Sequence, residues 1–419
     1  MALVVTKFGG TSVGTSERIL NVARRLIARQ EAGDRVVAVV SAMGDVTDEL
    51  LALAEQISDA PPEREMDMLL ATGEQVTIAL LAMAIHSLGK RAISFTGPQV
   101  GIVTDAGHTK ARITEVRGDR VGAALDEGYI VIVAGFQGTT QDGQITTLGR
   151  GGSDTTAVAI AAGIGADVCE IFTDVDGVYT ADPRLVPDAR KIDRISYDEM
   201  LELAASGARV LQLRSVEFAR NHGVVIHCRS SFNDRSGTIV EESDEQMEQA
   251  IISGVTHDTS EAKVTIRDVP DRPGVAAIVF NHLAQANVNV DMIIQNVSEQ
   301  GSTDISFTTP KEDLVRARAA TADVAVELNA RTWSVDESIA KVSLVGAGMK
   351  THPGVAAQMF SALASAGVNL DMISTSSIRI SCVISHDQAQ TAVRALHDSF
   401  GLADEDVVAE TAPGCGGGE

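Results

Sequence analysis

The chain has 419 residues, too many for one ordinary core, and its 44% hydrophobic content is enough to fill two or three domains. Aromatic residues make up only 3%, whereas small and β-branched residues are abundant, a mix suited to α/β layers in which helices lie close on a sheet. A formal charge of −23 disfavours nucleic acid and anionic membrane surfaces as partners, yet leaves room for a phosphate site built from a few local donors.

The N-terminus enters a strand at once through Leu3, Val4 and Val5, so no signal peptide is expected. The spacing predicts a strand over 2–6 and a helix over 16–33 with Ile19, Val22, Ala23, Leu26 and Ile27 on one face. Buried strands are predicted over 35–41, 92–96, 129–134, 168–173 and 224–228. Continuous apolar strands separated by helices indicate a mostly parallel sheet covered on both faces, with ligands beyond the carboxyl ends of its strands. No apolar run reaches the ~18 residues needed to cross a bilayer. Cys169, Cys228, Cys382 and Cys415 form no CxxC pair, which predicts reduced thiols in a cytoplasmic protein.

Three Gly-rich segments fall at strand ends. In KFGGTS, Lys7 precedes Gly9 and Gly10, so backbone N–H groups can approach phosphate oxygens while the lysine supplies a point charge. A tight strand-to-helix turn with a surface lysine is the other reading of the same residues. In GRGGSDTT, Arg150 precedes Gly151, Gly152, Ser153 and Asp154 at a predicted helix start. Arg150 can grip a carboxylate with two parallel hydrogen bonds, and Asp154 can orient Lys7 or hold a magnesium-bearing phosphate arrangement; an ordinary capped turn would explain only Ser153 or Asp154. The third segment, TDVDGVYTADPR, follows a strand directly and carries Tyr179 and Arg184. Smaller pieces are SAMGDVT, with Ser41 and Thr47, and ATGE, with Glu74. The nine histidines show no HxH or HExxH spacing, so no metal held by the protein alone is expected.

The acidic stretch 241–249 marks a domain boundary. Beyond it PGVAAIVFNHLAQANVNVDMI (273–293) aligns without gaps to PGVAAQMFSALASAGVNLDMI (353–373), and similar strands, AKVTI and AKVSL, precede the two copies. Each copy reads as a ferredoxin-like βαββαβ unit. Free backbone N–H groups where DRPG and THPG enter a helix would suit the carboxylate of an amino acid, with Asn289 or Asn369 receiving its polar end. The other reading is a repeat that only packs and dimerises.

KFGGTS, SAMGDVTD, ATGE, GRGGSDTTA and FTDVDGVYTADPR in this order, followed by two ACT-like copies, resemble the aspartokinase family, in its monofunctional bacterial type. The resemblance implies an amino-acid-kinase three-layer αβα domain over 1–245. It implies a first ACT domain over 250–339 (250–260 pairing with the second), a second over 340–410 and a flexible tail over 411–419. It implies transfer of the γ-phosphoryl group of ATP, carried with Mg²⁺, to the side-chain carboxylate of L-aspartate, with Lys7, Arg150 and Asp154 as catalytic residues. ATP would meet Lys7, Phe8, Gly9, Gly10, Ser41, Thr173, Asp174, Tyr179, Arg184 and Arg209, the last standing where the family commonly has lysine. Aspartate would meet Thr47, Glu74, Arg150, Gly151, Gly152 and Ser153. Lysine and threonine are the implied effectors. In the first copy they would meet Asp271, Gly274, Val275, Ala276, Asn289, Val290, Asp291 and Gln295. In the second they would meet Pro353, Gly354, Val355, Asn369, Leu370, Thr375 and Ser376. Homo-oligomers through the ACT domains are implied too, with a separately made C-terminal subunit starting near Met247. A kinase for another amino acid, such as glutamate, and a catalytically silent sensor are the alternatives.

Overall fold

The computed structural model describes residues 1–243, 252–295, 301–350, 352 and 354–404. Met247, Pro353, Cys415, the tail 411–419 and most of the acidic connector lie outside them. The chain divides into two compact units, the first made of Met1–Tyr179, Lys191–Ala205 and Arg209–Met247. The second comprises Thr180–Arg190, Ser206–Ala208 and Glu248–Glu419.

Among the described residues of the first unit, eight strands form one sheet. Their order is Arg194–Ser196, Thr238–Glu241, Ile226–Ser230, Val168–Thr173, Leu3–Phe8, Arg35–Val40, Ile130–Ala134 and Ala92–Phe95. The run from Ile226–Ser230 to Ala92–Phe95 is parallel throughout, so the carboxyl ends of six strands share one edge. Both faces of the strand RVVAVV are buried because helices cover both sides. On one side Val36, Ala38 and Val40 meet Ile19, Val22 and Leu26 of Ser16–Glu31 and Ile78, Leu81 and Ile85 of Thr72–Ser87. Helix Gly152–Ile164, almost wholly buried, lies across the other side, and its Ala and Gly content permits that close approach. A smaller sheet, ordered Ile113–Val116, Ile102–Thr104, Gln137–Thr139, Ile145–Thr147, flanks the carboxyl edge.

Helices Glu63–Leu70 and Thr72–Ser87 together form a stretch long and apolar enough to cross a membrane, although charged residues interrupt it. Half of it is buried within the protein, and Asp67 and Glu74 lie among its buried positions. These are core helices by their contacts.

The second unit holds two four-stranded antiparallel sheets. In the first copy the order is Ile293–Gln295, Ser302–Pro310, Glu261–Pro270, Thr332–Asp336, with helices Val275–Gln285 and Leu314–Glu327 packed through Val279, Leu283, Ala317 and Val324. In the second copy the order is Gly254–Asp258, Ile339–Val345, Arg379–Ser385, Met372–Thr375. The strand Gly254–Asp258, which precedes the first copy in sequence, thus fills the place of the second copy's last strand. Lys341 is buried between Glu261 and Asp291 (2.5 Å to each), and Lys263 pairs reciprocally with Asp371. The two copies are thereby stitched across their equivalent strands.

Segment Thr180–Arg190 also belongs to this second unit. Ala181 and Val186 are buried in its core, Val255 N–H donates to Thr180 O (2.8 Å), and Thr180 Oγ1 bonds His397 Nε2 (3.1 Å). Arg394 Nε donates to Leu185 O (2.8 Å). The stretch TDVDGVYTADPR, one loop by its sequence, is therefore divided after Tyr179, because Ala181 and Val186 carry its second half into another core.

Candidate active site

Strand periodicity decides where Lys7 points. Thr6 and Phe8 face helix Ser16–Glu31, and Phe8 stacks on Phe172 (centroids 4.7 Å apart), so Lys7 between them projects to the opposite face. There its Nζ lies 2.5 Å from Asp154 Oδ1, in the first turn of Gly152–Ile164. Both side chains are largely buried, and the pair joins two of the Gly-rich segments at one edge of the sheet.

The turn after Leu3–Phe8 and the turn after Arg35–Val40 touch backbone to backbone. Gly44 N–H donates to Gly10 O (3.1 Å), Ser41 N–H donates to Phe8 O (3.1 Å), and a Cβ on Gly10 would lie 2.9 Å from Ala42 O. Gly9 lies open towards the lysine, its absent Cβ being 3.4 Å from Lys7 Nζ. Next along the edge, Ser231 N–H donates to Thr173 O (2.8 Å) and Ser231 Oγ meets Ser12 Oγ (2.5 Å). Thr173 Oγ1 bonds the exposed Asp174 (3.0 Å).

Glu74 enters the same cluster from helix Thr72–Ser87. Ala42 N–H donates to its Oε1 (3.1 Å), while its Oε2 is buried without a partner. Burial pushes this carboxyl up to about 7. A buried, half-satisfied carboxylate is matched to a cationic ligand group.

Gly151 begins helix Gly152–Ile164 in the left-handed region (φ +75), and a Cβ there would collide with Gln212 Cγ at 2.3 Å. That glycine lets the helix start swing tightly, leaving Arg150 exposed and without an ion pair among the described residues, while Ser153 is buried. Thr47 is half-buried at the second position of helix Val46–Ile57. Tyr179 closes the first stretch of this unit, bridging to Lys191; burial raises its phenol. Arg209 is exposed where the unit resumes after Ala208. Arg184 lies in the second unit, paired with Asp182 (2.7 Å) and mostly exposed, so it is not part of the cluster around Lys7 within the first unit. Ser12 and Gly44, given no role within KFGGTS and SAMGDVT, and Ser231, in none of the quoted segments, also belong to the cluster.

In the second unit the two helix starts match. Gly274 (φ +98) and Gly354 (φ +115) precede Val275 and Val355, both buried. Of the residues expected to meet an effector in the first copy, Asp271, Ala276, Asn289, Asp291 and Gln295 are exposed and Val290 is half-buried. Of those expected in the second copy, Asn369, Thr375 and Ser376 are exposed and Leu370 is half-buried.

Residues 2–230 match the model of the amino acid kinase family, and 267–323 and 342–400 match that of an ACT domain. An aspartokinase of Mycolicibacterium smegmatis is 56% identical over 411 residues, spanning 97% of this chain and 98% of that protein. One of Corynebacterium glutamicum is 54% identical over the same length, with the same coverage. Among solved structures, Escherichia coli aspartokinase III in complex with aspartate and ADP superposes with a TM-score of 0.80 at 27% identity, covering 95% of this chain and 99% of that one. The same enzyme in complex with lysine and aspartate gives 0.74, also at 27% identity and the same coverage.

Proposed function

The chain belongs to the aspartokinases of the amino acid kinase family, and from that premise we propose which of its residues carry the reaction and its control. It is an ATP-dependent kinase that phosphorylates the side-chain carboxylate of aspartate, and the proposal concerns the assignment of parts.

Aspartate's carboxylate is already ionised near neutral pH, so the reaction needs no strong base. It needs two anions brought into line and their repulsion removed. Lys7 and the amides of Gly9 and Gly10 take the phosphates, and Asp154 aims the amine of Lys7. Ser41, Thr173, Asp174 and Tyr179 line the nucleotide side, with Arg184 and Arg209 as outer contacts. The second Glu74 oxygen receives the ammonium of aspartate, Arg150 its α-carboxylate, and Thr47 with Gly151, Gly152 and Ser153 the remainder. Among the described residues no cluster of three or more His, Cys, Asp or Glu side chains forms a metal cage. Mg²⁺ is proposed to travel with the phosphates of ATP, where it would supply charge neutralisation.

The single observation that carries this assignment is the 2.5 Å pair between Lys7 and Asp154, which unites turns far apart in sequence. Lys7→Ala should lower turnover in an aspartyl-hydroxamate assay by on the order of a hundredfold, as loss of one preorganised donor to developing negative charge does. Near-normal turnover would remove Lys7 from the chemistry.

Lysine and threonine are proposed as effectors at the helix starts following Gly274 and Gly354, whose open N–H groups suit a carboxylate. Assembly through the ACT copies is supported by Ile293 and Ile373, which stand 52% and 43% exposed on matching edge strands. A C-terminal subunit begun near Met247 would share that surface. The cytoplasm is the proposed compartment, supported by the described cysteines, which are buried and unpaired.

A further inference from the structure

Asp67, on helix Glu63–Leu70, is wholly buried, and burying a carboxylate is unfavourable unless donors surround it. Donors do: His108 Nδ1 at 2.6 Å, Thr109 N–H at 3.0 Å and Thr147 Oγ1 at 2.6 Å. Thr109 is a β-branched residue held at φ +64, a conformation that persists only where its surroundings impose it. The carboxylate thus clamps two segments distant in sequence, the turn at 108–109 and the end of strand Ile145–Thr147.

The strand runs straight into the loop that carries Arg150, and the turn packs against that loop. Thr147 lies three residues before Arg150, and a Cβ on Gly149 would stand 3.0 Å from Thr109 O, so the clamped turn rests directly against Gly149. Arg214, half-buried on helix Leu213–His222, provides a second hold. It donates from Nη1 to Leu148 O (2.8 Å) and from Nη2 to Ala111 O (2.7 Å), tying the same two segments together. Arg150 itself is exposed and has no ion pair among the described residues, so its direction comes from the backbone beneath it.

We propose that Asp67 and Arg214 are positioning residues that fix the backbone of Leu148–Gly149–Arg150, so that the guanidinium meets the α-carboxylate of aspartate without the loop first having to order. This rests on the reading that Arg150 holds that carboxylate. A misplacement of about 1 Å at such a contact suffices to cost a large factor in rate, so a loosened loop should register chiefly in the handling of aspartate.

The test uses the full chain. Asp67→Asn keeps size and burial but turns one acceptor into a donor facing N–H and O–H groups. The expected result is a KM for aspartate raised about tenfold, with the KM for ATP changed less than about twofold and the fold retained by circular dichroism. Thr147→Val removes one hydrogen bond only and should move the KM for aspartate the same way by about fivefold or less. Should Asp67→Asn fail to fold, the Thr147→Val and Arg214→Met variants carry the test. Lowered turnover in proportion to the folded fraction, with both KM values unchanged, would mean a structural role only and would overturn the proposal. Arg150→Ala separates the two readings. If it leaves the KM for aspartate unchanged, the assignment of Arg150 fails; if it raises that KM while the folded Asp67 and Thr147 variants do not, only the positioning role fails. In the Arg150→Ala background Asp67→Asn should add no more than about twofold, and a full further tenfold would show that Asp67 acts by another route.

Discussion

Glu74 combines one satisfied oxygen with one that is buried and bare, and its carboxyl is pushed up to about 7 by burial. If the bare oxygen receives an ammonium, the ionised form is the competent one. The kcat/KM for aspartate should then level off above pH 7 and fall about tenfold per pH unit below it. Glu74→Gln should weaken aspartate and abolish that acid limb; an unchanged limb in Glu74→Gln would assign the titration elsewhere. The same group links to stability with a definite sign. Its folded-state value lies above the 4.5 of an unperturbed glutamate, so the folded protein holds the proton more tightly between about 4.5 and 7. Its contribution to stability is present below that window and lost as pH rises through it, by about 3 kcal/mol at most. Without ligand, Glu74→Gln should therefore resist urea better than the parent at pH 8, with the advantage shrinking towards pH 5. The placement of Lys7 and Glu74 by the Gly-rich turns was legible in sequence because each stands in a short, contiguous motif at a strand or helix end. Asp67 and Arg214 were not, since their partners lie 41 to 103 positions away and only the folded chain brings them near.

At the scale of elements, the two turns around Gly10 and Gly44 are packed so tightly that neither can move alone. Gly10→Ala would press a methyl group 2.9 Å from Ala42 O and 3.0 Å from Gly44 O, both backbone atoms with little freedom to yield. The expected outcome is a fall in kcat/KM for ATP of about tenfold or more with the fold intact; normal nucleotide kinetics would mean that the turns tolerate separation. Strand and helix positions followed closely from apolar periodicity, as with Val168–Thr173 and with Ser16–Glu31 against a helix read over 16–33. The division of TDVDGVYTADPR did not, because nothing local distinguishes the Ala181 and Val186 that enter one core from the Val178 that stays in another. Strand Ile293–Gln295 starts only after Asn287 has taken a left-handed turn and Asn289 N–H has donated to Asp313 (3.1 Å).

For the whole molecule, the sequence passes between the two units five times, at 179/180, 190/191, 205/206, 208/209 and 247/248. An effector that stabilises one arrangement of the second unit must therefore act on segments whose next residues, Tyr179 and Arg209, are assigned to the nucleotide. Lysine and threonine, titrated singly and together, should change the KM for ATP or turnover, and His397→Phe, which removes one side-chain partner of Thr180, should blunt the response. Kinetics indifferent to both amino acids at saturation would dismiss the control assigned to this half. The borrowed stretch Thr180–Arg190 has one more consequence. A polypeptide begun at residue 247 would be born without it, and Val255, Val393 and Leu396 would lose the apolar cover that Ala181 and Val186 lend them. Such a fragment would be an incomplete solid, short-lived by itself and durable only when another surface caps the gap.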